Sequence, residues 1–204
     1  MKHLFSLAFM LAAAALCFGQ MPARARIDVD GNSKLVGLTN FSVSKGSIRF
    51  ATWMKPEQNL RFITGDIDIE KNKWTQVSIT FTPLATGDVS LQFKGNYWKK
   101  NAEDKNISPV PVYYDDVTAT GAVIVNGGFE EMDEEKGEPK GWYKGGSEAS
   151  WFGVPPVVNT DAAFVKSGKQ SIRAWHNAVF SHYIKVTANT PVTVSAWVYM
   201  NDKE

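Results

Sequence analysis

The sequence predicts an all-β protein of β-sandwich type, and three observations carry that prediction. From Arg26 onward the chain runs in short segments whose apolar and polar residues alternate. Turn-forming pairs such as Lys45-Gly46, Lys55-Pro56, Lys71-Asn72 and Gly87-Asp88 separate those segments. No stretch after residue 19 sustains a helical period. The 204 residues, 44% apolar and 12% aromatic, supply enough core for one or two domains.

Residues 1–19 stand apart from the rest. Lys2 and His3 precede an apolar run from Leu4 to Phe18, ended by Gly19-Gln20. A basic start, a short apolar centre and small residues near the end predict a secretory signal peptide, cut after Gly19 or Ala25. A membrane anchor is the competing reading, because the run is close to the shortest spanning helix. The signal-peptide features favour export, to the medium or the cell envelope, with no integral span left after cleavage. Cys17 is the single cysteine, and Leu16 precedes it where a lipoprotein signal needs a small residue. Loss of residues 1–19 therefore removes disulfides, thiolate catalysis and cysteine metal sites together. With 22 basic and 21 acidic side chains the chain lacks the basic field of a nucleic-acid binder.

Strands are expected at 27–29, 34–38, 41–43, 47–54, 61–69, 74–82, 89–94 and 110–118. The alternation is cleanest at 74–82. Thr75, Val77, Ile79 and Phe81 share one face there, and Gln76, Ser78, Thr80 and Thr82 the other. That number of strands suits one sandwich over residues 27–120. A second segment, 122–204, opens on an apolar run at 123–129 and crosses an acidic loop at 131–140. It continues through Gly141-Trp142-Tyr143 to strands at 171–175, 182–186 and 191–200. In the last of these Val192, Val194, Ala196 and Val198 share a face.

The junction carries a family pattern. Tyr113-Tyr114-Asp115-Asp116-Val117 closes the first segment, and Asn126-Gly127-Gly128-Phe129-Glu130, followed by Gly141-Trp142, opens the second. Together they resemble the end and the beginning of CenC-type carbohydrate-binding modules. That resemblance implies a galactose-binding-like jelly roll and non-catalytic binding of a polysaccharide or oligosaccharide. It also implies a structural calcium, for which the matching positions are Asp115, Asp116 and Glu130. Carboxylates and loop carbonyls are the hard oxygens that calcium takes.

Two arrangements follow. Residues 168–177 parallel 31–40, and 186–197 parallel 43–53, each with one small gap, so the segments read as copies in different states of completeness. The favoured expectation is a truncated tandem: a first module at 27–120 without its usual first strand, and a second at 122–204 without its last several strands. In the alternative, residues 123–130 fold back beside the Tyr113–Thr118 strand and form a permuted sandwich. Only that alternative brings Glu130 to the two aspartates.

The candidate ligand contacts are aromatic. Trp53 and Trp197 occupy equivalent places in the repeat, and Trp197 and Tyr199 alternate with the aliphatic set of their strand, beside Thr193 and Ser195. A flat ring beside hydrogen-bonding groups suits a sugar, which has an apolar face and a hydroxyl rim. Against this, a mid-strand Trp is often a core residue. Tyr97 and Trp98 lie in a polar loop and need either a hydrophobic seat or a ligand. His176 and His182 come without a nucleophile elbow or metal-site spacing, and the acidic residues lie in turns. The expectation is a secreted carbohydrate-binding protein that is not an enzyme, although it could be an accessory part of a larger glycoside hydrolase. An adhesion or spacer module is the rival.

Overall fold

A computed structural model describes residues 23–31, 36–50, 62–98, 108–145, 155–176 and 178–201. The expected signal peptide, 1–19, lies outside them. The strands are β1 (Arg24–Asp30), β2 (Leu38–Val43), β3 (Gly46–Phe50), β4 (Phe62–Asp68), β5 (Thr75–Pro83), β6 (Gly87–Lys94), β7 (Asn96–Trp98) and β8 (Ser108–Val110). They continue as β9 (Val112–Thr120), β10 (Met132–Asp133), β11 (Glu138–Pro139), β12 (Trp142–Gly145), β13 (Val157–Asn159), β14 (Ser171–Ala174), β15 (Val179–Val186) and β16 (Val192–Tyr199).

Twelve of these strands form two antiparallel sheets of six. The first has the order β12-β15-β6-β1-β4-β3, and the second β13-β14-β9-β16-β5-β2. The expected all-β sandwich is thus present. Among the described residues there is no α-helix, only a 3-10 turn at Ala162–Phe164, and no helix is long and apolar enough to cross a membrane.

The period-two pattern decides which residues fill the space between the sheets. On β5, Val77, Ile79 and Phe81 are buried while Ser78, Thr80 and Thr82 face away; on β16, Val192, Val194, Ala196 and Val198 are buried. The first sheet answers with Ala25, Ile27 and Val29, then Val89, Leu91 and Phe93, then Phe180, Ile184 and Val186. Tyr114 crosses this core from the second sheet. Its hydroxyl accepts the Arg26 backbone N–H at 3.0 Å and faces the carbonyls of Arg26, at 2.9 Å, and Lys94. Burial raises its pKa well above the ordinary phenol value, so it stays a neutral donor.

The two-module arrangement does not hold in this structure. β16, from the second segment, sits between β5 and β9 of the first, and β15 pairs with β6. The physical reason is strand pairing: β5 and β9 would each present an open edge without β16, and β16 finds both partners within the chain. The repeated segments are not equivalent in the fold either. Residues 43–53 contribute β3 to the edge of the first sheet, whereas 186–197 contribute β16 to the middle of the second.

The expected strand at 123–129 is a series of bends and turns. It does fold back against β9, where the Val117 N–H donates to the Gly127 carbonyl at 2.9 Å. A Cβ at Gly127 would lie 1.9 Å from the Val117 carbonyl oxygen, so only glycine allows this approach. Asn126 has φ +51°, and its side-chain amide donates to the carbonyls of Glu131 and Lys140 while its oxygen accepts the Glu131 N–H. Phe129 is buried with its ring edge-on to Trp142, 4.7 Å between centroids. Asn-Gly-Gly-Phe therefore anchors a crossing, not a strand.

Candidate functional site

The structure distributes the sequence-predicted residues over separate regions. Trp53 and the side chains of Tyr97 and Trp98 lie outside the described residues. Trp197 and Tyr199 lie on the outer face of the second sheet, as their alternation predicts, and both are half-buried. The Lys166 ammonium stands 4.2 Å from the Trp197 ring centroid. Tyr199 packs with Tyr113, Phe164 and Trp74, and Phe164 stacks on Tyr113 at 4.5 Å. Residues 161–170 thus form a strap across one end of this aromatic surface.

Three carboxylates pin that strap, and they are the three expected as calcium ligands. Asp115 accepts the N–H groups of Lys166 (2.8 Å) and Ser167 (3.2 Å), Asp116 accepts the Ser167 hydroxyl (2.7 Å), and Glu130 accepts the N–H groups of Lys169 (2.8 Å) and Gln170 (3.0 Å). Burial pushes the Asp115 carboxyl up to about 6 despite the donors of Ser167, Lys166 and Asp116, and the neighbouring Asp116 charge adds to the rise. Fold-back has brought Glu130 to the aspartates. As a calcium site the set fits in part. Asp115 is committed through both oxygens to backbone donors, while Asp116 and Glu130 are engaged through Oδ1 and Oε1. No group of three or more ligating side chains is assembled among the described residues. Asp116 and Glu130 each keep their second carboxylate oxygen outside these bonds.

The outer face of the first sheet was not singled out by the sequence. Strand register aligns Tyr143, Ser181, Gln92, Asp28, Thr64 and Arg49 in one row across all six strands. Five inter-strand steps make this row roughly 24 Å long. A neighbouring row holds Tyr183, Ser90 and Asp30. At the β12 edge, Tyr143 and Tyr183 are 48% and 55% exposed and meet edge to face at 5.9 Å.

The middle of the face is ionic, with four cations against three carboxylates. Arg49 and Arg26 share the Asp66 carboxylate, Lys94 pairs with Asp28 at 2.6 Å, and Arg24 pairs with Asp68 at 2.9 Å. Burial alone would raise the Asp66 pKa, but the Arg49 and Arg26 guanidiniums hold it below the usual value. His176 accepts an Arg26 N–H at Nδ1 (2.9 Å), and burial together with the Arg26, Lys94 and Arg49 charges lowers its pKa to about 4. It is a neutral imidazole at pH 7. Asp28 is 2% exposed, and its Oδ1 has no hydrogen-bond donor among the described residues. A buried acceptor without a donor is costly until a hydroxyl or water supplies one.

Beside Tyr183 lies a pocket of about 510 Å³, lined by Gly121, Ala122, Val123, Val125, Tyr183 and Lys185. Of the five large apolar side chains exposed among the described residues, Val123, Val125, Tyr143 and Tyr183 gather here. Scattered exposed apolar residues are ordinary, but a cluster beside a cavity marks a contact surface. His182 belongs to the support beneath it. Burial lowers its pKa; its Nδ1–H donates to Gly141 O (2.7 Å), Nε2 accepts the Val125 N–H (3.4 Å), and the ring stacks on Trp142.

No protein-family model, curated protein or solved structure matches this chain.

Proposed function

We propose that this protein is a non-catalytic carbohydrate-binding module, and that the outer face of the first sheet is where it holds a polysaccharide. The observation that carries the reading is the pairing of two exposed tyrosines, Tyr143 and Tyr183, with a row of hydrogen-bonding side chains on one sheet face. Phenol rings stack on the C–H face of a sugar, while Ser181 and Gln92 offer donors and acceptors to its hydroxyls. The ion pairs set four cations against three carboxylates, so most of the charge on the face is compensated within it, which suits a chain of low charge. The Asn126–Glu130 pattern and its resemblance to CenC-type modules support the same reading, including a jelly-roll topology of the galactose-binding-like kind. With them go export by residues 1–19 and a calcium ion at Asp116 and Glu130. Trp197 and Tyr199 form a second, strapped aromatic surface whose part in binding the experiment separates from the first.

Affinity electrophoresis through gels containing neutral polysaccharides tests this. Retardation of the wild type is expected. Each of Tyr143→Ala and Tyr183→Ala should weaken it about two- to tenfold, from about 0.5–1.5 kcal/mol per ring. Trp197→Ala should leave it intact. If the folded wild type is retarded by no polysaccharide, the sugar reading falls and the adhesion or spacer role takes its place.

A further inference from the structure

The pocket beside Tyr183 asks for something a bare sugar chain does not have. Its walls are Ala122, Val123 and Val125 on one side and the Tyr183 ring on the other, and Val123 and Val125 are 73% and 55% exposed. Sugar rings stack on flat aromatic faces and hydrogen-bond through their rims, whereas branched aliphatic walls around a concavity suit a compact apolar group. At about 510 Å³ the pocket is within the range of small-molecule sites.

Lys185 supplies the polar element. Its exposed ammonium stands at the pocket and can donate a hydrogen bond to an acceptor on a bound group. Apolar walls with one donor beside them suit a group that joins an apolar body to a carbonyl acceptor, as an ester does. Tyr183 belongs both to the pocket wall and to the tyrosine pair that ends the polar row. A group seated in the pocket is thus attached to whatever lies along the sheet.

We infer that the polysaccharide taken by this face is esterified, and that the pocket of Val123, Val125, Tyr183 and Lys185 holds the acyl or aryl part of one ester while Lys185 donates to its carbonyl. The inference rests on the sugar-binding reading and adds a substituent class to it. Each methylene-sized group removed from water contributes about fourfold in affinity.

The test compares one esterified plant polysaccharide with the same material after saponification, by affinity electrophoresis of the full chain. The wild type should bind the esterified form about tenfold more tightly. Val123→Asp, at an open position, should abolish that difference and leave binding of the saponified form at the wild-type level. A normal melting transition of the variant shows that it is folded. Equal retardation by the two forms, or a difference that survives Val123→Asp, overturns the inference and leaves the sugar reading standing. Failure of every polysaccharide, esterified or not, removes both.

Discussion

Tyr114 shows how a single side chain joins the two sheets. Its neighbour Tyr113 points the opposite way, as strand alternation requires, but lies under Phe164, so neither phenol of the pair is available to solvent. The sequence could predict opposed faces and not the cover, because the covering residue is 51 positions away. The Tyr114 hydroxyl meets the backbones of β1 and β6 inside the core, where Arg26 N–H and the Arg26 and Lys94 carbonyls gather. Tyr114→Phe keeps the ring packing against Phe93 and leaves those buried groups without their partner. A loss of about 1–3 kcal/mol in urea-unfolding stability is expected. A loss below 0.5 kcal/mol would mean that the hydroxyl does not bridge the sheets.

At the scale of elements, the strap at 161–170 is the feature the sequence half revealed. Asp115, Asp116 and Glu130 were legible as a set from their motifs, but the backbone that joins them, 166–170, was not, since backbone N–H groups leave no trace in side-chain patterns. The short strands β12 and β13 were missed for a related reason: three or four residues are too few to display a period. Tyr143 was missed with β12, and Tyr183, on a strand that was expected, was missed because its aromatic partner lies on β12. Gly168 adopts φ +67°, and a Cβ there would sit 2.3 Å from Glu130 Oε1, so the turn and the carboxylate require one another. Glu130→Ala should free the Lys169 and Gln170 N–H groups and speed their hydrogen exchange markedly, with little change in the central strands. Added calcium should raise the wild-type melting temperature, and chelator should reverse the rise; Glu130→Ala should respond to neither. A wild type indifferent to both would remove the proposed ion and leave the carboxylates as strap anchors only.

For the whole molecule, most strands were legible from alternation, yet their assembly was not. A strand's face is encoded locally, but its neighbours depend on which edges remain unpaired once the chain has folded. Repeats in the sequence suggested two modules, and pairing overrode them, because β16 inserts Val192, Val194 and Val198 into a core it shares with β5 and β9. Each such side chain contributes roughly 1.5–3 kcal/mol on burial. Residues 23–120 alone would therefore expose four strand edges, one on β5, one on β6 and both on β9, together with an uncovered core face, and residues 122–204 alone would retain few pairings beyond β12 with β15 and β13 with β14. Calorimetry of the chain should accordingly show one cooperative unfolding transition, with equal van't Hoff and calorimetric enthalpies. Cleavage at an engineered protease site between Gly121 and Ala122 should leave the two pieces associated under native conditions, since the strand pairs β16 with β5 and β15 with β6 still hold them together. Separation of the pieces into independently melting domains would restore the tandem arrangement, and would also part Glu130 from Asp116 and with it the strap.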